Sequence, residues 1–489
     1  MDKHTVPSVY FLGIGGIGMS ALARYFLSQG AEVAGYDKAP SALTDQLVKE
    51  GMKIHFIEDP SMIPDRVDQV IWTPAVPKEH REYRYFLEKG IRVKKRAEVL
   101  GEIASAFPTI AVAGTHGKTT TTTMIAHLFR SAGRATMAFL GGISKNYHTN
   151  FIQSAEGKSE IARSEKRNFA TSLTRHLTTC IVEADEFDRS FLFLTPDIAV
   201  ITSMDADHLD IYSHQEQLKQ SFGEFATRIR GNGSLILKEG VDPVGEIPGR
   251  IRVYRYSLNG NTGFRAGDII VRDGLLHFDF ITPDGRFPGF VLGIPGMFNL
   301  ENAIAALAAG WLSGIPETDL RRGLKEFAGV VRRFDFRIRR DDFIYIDDYA
   351  HHPEELHACI QAVRMLYPGK RITGVFQPHL YSRTRDLAED FVRVLAELDS
   401  LILLEIYPAR EQPIKGVDSR MLLERVDLSD KKLCSKEEML DLLEKNRPEV
   451  LLTLGAGDID QMVKPITDLF GTPGKKPSAI DKKERKGDL

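Results

Sequence analysis

A chain of 489 residues is too long for one ordinary hydrophobic core, and at roughly 150 residues per domain it sets an expectation of about three domains. Apolar residues at 43% and charged residues at 27% are a globular balance, and no run reaches the ~18 apolar residues of a membrane helix. A formal net charge of −3, with Lys and Arg scattered along the chain, argues against a nucleic-acid partner and leaves small phosphorylated molecules as the anions to be bound.

The first residues, Met1-Asp2-Lys3-His4-Thr5, lack the basic-then-apolar pattern of a secretory leader, so a cytoplasmic location is expected. Residues 8–106 alternate short apolar runs (VYFLGI, AEVAGYD, QVIWTPA, IRVKK) with helix-like stretches such as KEHREYRYFLEKG, which closes on Gly90 as helices commonly do. That alternation predicts a parallel, Rossmann-like sheet. A second αβ series opens at Thr109 and contains TTCIVEA and DIAVITS, two candidate buried strands whose C-terminal ends deliver polar residues to a crevice. Ahead of TTCIVEA, residues 154–176 are polar and aperiodic, which predicts a surface insertion or mobile loop. DGLLHFDFITPDGRFPGFVL alternates apolar and polar residues across Asp-Gly turns and predicts hairpins, and NLENAIAALAAGWLSG predicts one helix. A third αβ series starts near Phe327, with strands RITGVFQ, SLILLEIYP and EVLLTLGAG, and the lysine-rich end predicts a disordered tail. Cys180, Cys359 and Cys434, odd in number and far apart, read as buried thiols. The sequence sets no oligomeric state.

Two glycine loops carry the chemistry. Gly13, Gly15 and Gly18 form GxGxxG directly after a strand, and Asp37 ends the next strand. Glycines there admit a pyrophosphate to a helix N-terminus, and the acid reaches a ribose hydroxyl. NAD, FAD and a UDP-sugar all fit such a loop, and so does a tight turn that binds nothing. The second loop, Gly114-Thr115-His116-Gly117-Lys118-Thr119, is sharper. Its glycines turn backbone N–H groups inward, Lys118 sets a charge against the β and γ phosphates, and Thr119 offers a hydroxyl to Mg²⁺. It is a shortened ATP loop. Two phosphate loops imply two phosphorylated ligands, one consumed as energy and the other a substrate.

Glu183, Asp185, Glu186 and Asp188 follow one strand, and Asp205, Asp207 and His208 follow the next. Hard oxygens at a strand end beside a phosphate loop suit a divalent cation, with about one acid in each cluster expected to touch it. On hardness alone, imidazole suits Mn²⁺ better than Mg²⁺.

Read in order, GIGGIGMSALA, GTHGKTTTT, EADEFD, DADHLD, VVRRFD, DDYAHHPEE, FQPHLYSRTRD, YPAREQPIKGVDS and LGAGD span residues 9 to about 458, and the series closely resembles the Mur ligases of bacterial peptidoglycan synthesis. The resemblance implies an α/β, three-domain Mur ligase architecture. A Rossmann-like UDP-sugar domain takes residues 1–107, and a central P-loop ATPase-like α/β domain with hairpins takes 108–327. A Rossmann-like amino-acid domain takes 328–472, and the tail takes 473–489. It further implies an ATP-dependent, amide-forming ligase with UDP-N-acetylmuramate, L-alanine and ATP as partners, and neither nucleic acid nor membrane. ATP phosphorylates the lactyl carboxylate, and the amine displaces phosphate from the acyl phosphate. A relative that attaches a whole peptide to the same sugar is the nearest alternative, and the GIGGIGMSALA opening favours the single amino acid.

Carried over residue by residue, the UDP-sugar falls to Gly15, Gly16, Ile17, Gly18, Asp37 and Thr73. ATP falls to Gly114, Thr115, His116, Gly117, Lys118, Thr119, Thr120 and Asn302, with Arg333 and Asp348 reaching it when the C-terminal domain closes. Two Mg²⁺ ions, replaceable by Mn²⁺, fall to Thr119, Glu183 and His208; Lys118, Glu183, His208 and Arg333 carry the chemistry. The amino acid falls to Tyr349, His351 and Arg383. The chain departs from many relatives at Phe298, where they have His, and at Leu380, where they have Arg. No lysine matches the carbamylated one of some sister ligases. His352 before Pro353 also reads as a simple helix start.

Overall fold

The computed structural model describes residues 6–154, 178–205, 215–272, 274–409 and 411–471. The apolar runs of the first hundred residues become strands β1 (Ser8–Leu12), β2 (Glu32–Tyr36), β3 (Lys53–His55), β4 (Gln69–Trp72) and β5 (Val93–Lys95). They form one parallel sheet in the order β3-β2-β1-β4-β5. β1, buried along its whole length, lies between β2 and β4, so the strand order reverses on its two sides. In open α/β sheets ligands bind outside the strand C-termini at such a reversal, and the Gly13 loop leaves β1 there.

The central sheet has ten strands: β6 (Thr109–Ala113), β7 (Thr136–Ser144), β8 (Thr149–Gln153), β9 (Thr179–Glu183), β10 (Ile198–Ile201), β11 (Ser234–Lys238), β12 (Arg252–Ser257), β13 (Phe264–Arg272), β14 (Leu275–Thr282) and β15 (Gly285–Leu292). Their order is β15-β14-β13-β12-β11-β10-β6-β9-β7-β8. The expected hairpins are the antiparallel run β13–β14–β15, with Gly285 in the second turn. The expected helix is Met297–Leu312, buried from Asn302 to Gly310, and its run of alanines lets it pack closely on the helix Lys118–Ser131. The hairpin β7–β8 went unread in the sequence, because LGGIS carries two glycines where an apolar strand is looked for.

These two sheets belong to one compact unit ending at Val331. The helix Ile17–Ser28, which starts at the first glycine loop, packs on β7 and β8, with Tyr25 against Phe139 and Phe151. Arg24, only 6% exposed, makes both Nε and Nη2 hydrogen bonds to the Glu50 carboxylate and a further one to Asn150 Oδ1. Asn150 Nδ2 donates to Ile17 O at 2.6 Å and Ser20 Oγ at 2.9 Å. A buried guanidinium with its carboxylate and amide all satisfied ties the first loop's helix to the central sheet.

The second unit runs from Arg332 and holds β16 (Asp335–Arg339), β17 (Ile344–Asp348), β18 (Ile372–Phe376), β19 (Ser400–Leu403), β20 (Lys431–Leu433) and β21 (Val450–Leu454), in the order β16-β17-β21-β18-β19-β20. Only β16 is antiparallel. The C-terminal ends of β17, β18 and β21 therefore present Tyr349, Gln377 and Gly455 at one edge. The unit boundary falls a few residues beyond the expected start at Phe327, because Val331 N still donates to Ile143 O of the central sheet. The three cysteines are buried and free. Among the described residues no helix is long and apolar enough to cross a membrane. The expected insertion, residues 154–176, lies outside the described residues from 155 onward, as does the tail.

Under the first loop lies a polar chain. Glu82, fully buried, has Oε2 2.6 Å from the Tyr10 hydroxyl, which is 2.7 Å from His55 Nε2; His55 Nδ1 is 2.8 Å from Ile57 O. Neutral His55 donating to Ile57 leaves Nε2 as an acceptor, so one Tyr10 proton faces two acceptors unless Glu82 is itself protonated. Burial accordingly pushes the Glu82 carboxyl up to about 7, against the hydrogen bonds from Tyr10 and Asp59. With the folded value above the unfolded one, the group's contribution is fully present at low pH and is lost as pH rises through about 7. Relative to wild type, Glu82→Gln should therefore gain about 3 kcal/mol between about pH 4 and about pH 8.5 in urea unfolding. A difference that does not change with pH would contradict this proton count.

Candidate functional site

β6 is a fully buried parallel strand, and the chain leaving it must turn sharply to enter the helix Lys118–Ser131. Gly117 makes that turn at φ +81°, and a Cβ there would lie 2.4 Å from Asn302 Oδ1, so the position demands glycine twice over. The segment leaving the neighbouring β10 braces the loop. Thr202 Oγ1 donates to His116 O, His116 N donates to Ser203 Oγ at 2.8 Å, and the Thr115 and Ser203 hydroxyls are 2.8 Å apart. The helix starts with no side-chain cap and no acidic residue in its first turn, leaving its positive end for an anion.

Lys118 points back over the loop. Its Nζ donates to Gly114 O, to Thr115 O at 3.3 Å and to Glu186 Oε1 at 2.8 Å. Glu186 is fully buried. Burial, the largest influence on Lys118, works against its charge, but Glu186, Asp185 and Glu183 outweigh it and hold the ammonium above its usual range. Burial pushes Glu186 up in turn, against the pull of Lys118. The lysine is charged, and the carboxylate beside it is held at a cost.

Thr119 Oγ1 donates to Glu183 Oε1 at 3.2 Å, and Gly141 N of β7 donates to Glu183 Oε2 at 3.1 Å. Glu183 ends β9 in register with Val112 of β6, which sets it beside the loop. Two hard oxygens at this separation fit adjacent positions around Mg²⁺, whose neighbouring ligands at about 2.1 Å lie about 3 Å apart. Among the described residues no three His, Cys, Asp or Glu side chains converge on one point. That suits an ion held by one carboxylate, a hydroxyl and the phosphates it accompanies. Asp205 sits at the β10 exit, its N donating to Thr115 Oγ1 at 3.1 Å, and His208 lies outside the described residues. Thr120 is buried in the helix, and Asn302 and Phe298 lie on the helix Met297–Leu312.

At the first loop, Gly13 N and Ile14 N donate to Tyr36 O, and Gly15 N donates to Asp37 Oδ2 at 2.7 Å. Lys38 N donates to Asp37 Oδ1 at 2.8 Å, so the Asp37 carboxylate is turned onto its own loop. Gly16 and Ile17 are exposed, Ile17 by 37% despite its apolar side chain, and Thr73 packs against Gly13.

In the second unit both Asp348 oxygens are engaged: Oδ2 accepts from Phe334 N at 2.6 Å and Oδ1 from Ala350 N at 2.7 Å. Burial pushes this carboxyl up to about 7 despite Arg333 and those two donors. Asp348 thereby pins the segment that carries Arg333. The Arg332 and Arg333 guanidinium groups lie over the Tyr349 ring at 5.2 and 4.8 Å. His351 Nδ1 is 3.0 Å from Tyr349 O, and its ring is 5.9 Å from that of His379. Arg383, half-buried, sits on the helix Tyr381–Asp386, whose Ser382 N donates to Glu411 Oε2 at 3.0 Å. Leu380 enters that helix at φ +71°, a left-handed backbone that is costly for leucine. His352 caps the helix Pro353–Leu366, as the helix-start reading has it. Ser203, Gly141 and Glu411 were not singled out in the sequence, and Glu186 was named only as one of four acids after a strand. Glu186 and Glu411 stand inside quoted motifs, but only the fold says which acid of a cluster turns inward.

Three profiles match the chain in sequence: "Mur ligase family, catalytic domain" over residues 8–108, "Mur ligase middle domain" over 112–310 and "Mur ligase, glutamate ligase domain" over 332–457. A UDP-N-acetylmuramate–L-alanine ligase of Parabacteroides distasonis is 46% identical, covering 98% of this chain and 100% of that protein. One of Flavobacterium psychrophilum is also 46% identical, covering 95% and 98%. Among solved structures, the UDP-N-acetylmuramate–alanine ligase of Thermotoga maritima has a TM-score of 0.78 at 23% identity, covering 95% of this chain and 99% of that one. The MurF ligase of Thermotoga maritima in complex with ADP has a TM-score of 0.57 at 14% identity, covering 90% and 94%; both share the fold.

The Lys118–Glu186 pair sets a direct test. Lys118→Met leaves a buried carboxylate without its cation and should cost about 3–5 kcal/mol near neutral pH in urea unfolding. The loss should shrink in acid, where Glu186 is protonated, and Glu186→Gln in the same chain should recover most of it. An equal loss at every pH, with no rescue, would contradict the pairing.

Proposed function

The chain belongs to the Mur ligase family, and on that premise we propose that it joins L-alanine to UDP-N-acetylmuramate in peptidoglycan precursor synthesis, converting ATP to ADP and phosphate. The observation that carries this reading is identity of 46% along the whole length with relatives bearing that activity in their names. The Lys118, Thr119 and Glu183 cluster supports the ATP half of it. We place the reaction in the cytoplasm, where ATP and UDP-sugars are at hand.

A carboxylate is a poor acyl donor because its negative charge repels an amine and its oxygen is a poor leaving group. ATP removes both obstacles. A lactyl carboxylate oxygen attacks the γ phosphorus, ADP departs, and the acyl phosphate carries a good leaving group. The amine then adds to the acyl carbon, and the tetrahedral adduct expels inorganic phosphate, with one proton lost from nitrogen. Positioning and neutralisation of phosphate charge supply most of the catalysis.

Lys118 gives up Glu186 for the γ phosphate and follows it through transfer. Thr119 and Glu183 would hold a magnesium ion, which when bound would neutralise phosphate charge; His208 is assigned to a second. Gly114 to Thr120 cradle the triphosphate and Asn302 reads the adenine. Gly15 to Gly18, Asp37 and Thr73 hold the UDP-sugar. Arg333 is assigned to the ATP phosphates, with Asp348 fixing its approach. Arg383 pairs the carboxylate of alanine, with Tyr349 and His351 beside it.

The test is a substrate panel. Phosphate release from ATP should require UDP-N-acetylmuramate and L-alanine together, with glycine and L-serine slower and a tripeptide inert. Faster turnover with the tripeptide than with L-alanine would overturn the assignment.

A further inference from the structure

Arg96 is the first residue of the helix Arg96–Ser105 that follows β5, and its side chain reaches across to the first glycine loop. A Cβ on Gly18 would lie 2.7 Å from Arg96 Nη1 and 3.2 Å from Cζ, so glycine at 18 leaves the space the guanidinium fills. This is a cation at the positive end of a helix, the unfavourable end for it. The helix Ile17–Ser28 has neither a side-chain cap nor an acid in its first turn to offset that charge. Its carboxylate partner comes from far along the chain: Arg96 Nη2 donates to Asp185 Oδ2 at 3.2 Å, with the two side chains 23% and 36% exposed. Asp185 stands between Glu183, which meets Thr119, and Glu186, which holds Lys118. Its charge acts on both members of the Lys118–Glu186 pair.

We propose that Arg96 is a positioning residue that exchanges Asp185 for the diphosphate of the UDP-sugar, so that filling the first glycine loop is felt at the second. The inference rests on the UDP-sugar reading of that loop. A diphosphate on the Gly15–Gly18 backbone carries more charge than one carboxylate and lies at the same helix end, so it outcompetes Asp185 for the guanidinium. Asp185, released, adds its negative charge to the acids beside Lys118, where a nucleotide arrives with its magnesium. The two nucleotide sites thereby acquire a coupling free energy, reciprocal by linkage.

Calorimetric titration of the full chain tests this with UDP, UMP and magnesium–ADP as probes. Arg96→Ala should weaken UDP at least about tenfold and UMP less than about twofold, with Arg96→Lys between it and wild type. UDP should tighten magnesium–ADP at least about threefold in the wild type. In Asp185→Asn that gain should vanish while UDP still binds as well as in the wild type or better. Asp185→Asn removes no buried group, so this arm decides the matter even if Arg96→Ala fails to fold. Undiminished UDP binding by Arg96→Ala, or intact coupling in Asp185→Asn, overturns the role of Arg96 and leaves the family reading standing. A wild type that binds neither UDP nor UDP-N-acetylmuramate overturns both.

Discussion

A largely shielded lysine facing a fully buried carboxylate is the constraint on which the central site depends. Lys118 keeps its charge because Glu186, with Asp185 and Glu183, outweighs its burial, and Lys118 in turn offsets the burial of Glu186. Such a pair is an expensive way to stabilise a fold, since a well-packed apolar pair of equal volume often does as well or better. What it does achieve is to hold a cation at a defined place over the loop. The rest of the loop serves the same end, with Thr202 and Ser203 fixing the turn and Gly141 fixing the Glu183 carboxylate.

The parallel sheets explain why so few residues suffice. β6, β9 and β10 lie side by side in register, so their C-terminal ends deliver Gly114, Glu183 and Thr202 to one level. The first sheet does the same with Gly13 and Asp37, and the Arg24–Glu50–Asn150 cluster binds its helix to the central sheet. Two glycine loops thus sit in one compact unit. Between them runs a line of charge from Arg96 through Asp185 and Glu186 to Lys118.

Local patterns in the sequence were enough for the glycine loops, the apolar strand runs, the hairpins β13–β15 and the helix Met297–Leu312, because each is specified by neighbours a few residues apart. Glu183 was legible only as one of four acids after an apolar run, and the family resemblance picked it out from them. Glu186 was not: four acids share that segment, and its burial is decided by Lys118, 68 residues earlier. Arg96 was likewise illegible, since its partners Gly18 and Asp185 lie in different elements. At Asp348 the structure adds a role the motif does not state, with both oxygens accepting backbone N–H groups that fix the Arg333 segment. Leu380, flagged as a departure, occupies a left-handed backbone position, so the exchange from arginine alters side-chain chemistry at a strained turn.

All of this arrangement serves one chemical event, transfer of the γ phosphate onto a carboxylate oxygen. UDP-N-acetylmuramate labelled with ¹⁸O in its lactyl carboxylate follows that event directly, because the oxygen that attacks phosphorus stays with it when the amide forms. The account requires one labelled oxygen in each molecule of inorganic phosphate released with L-alanine and ATP. Phosphate free of label, with all of it kept or lost to water, would contradict it.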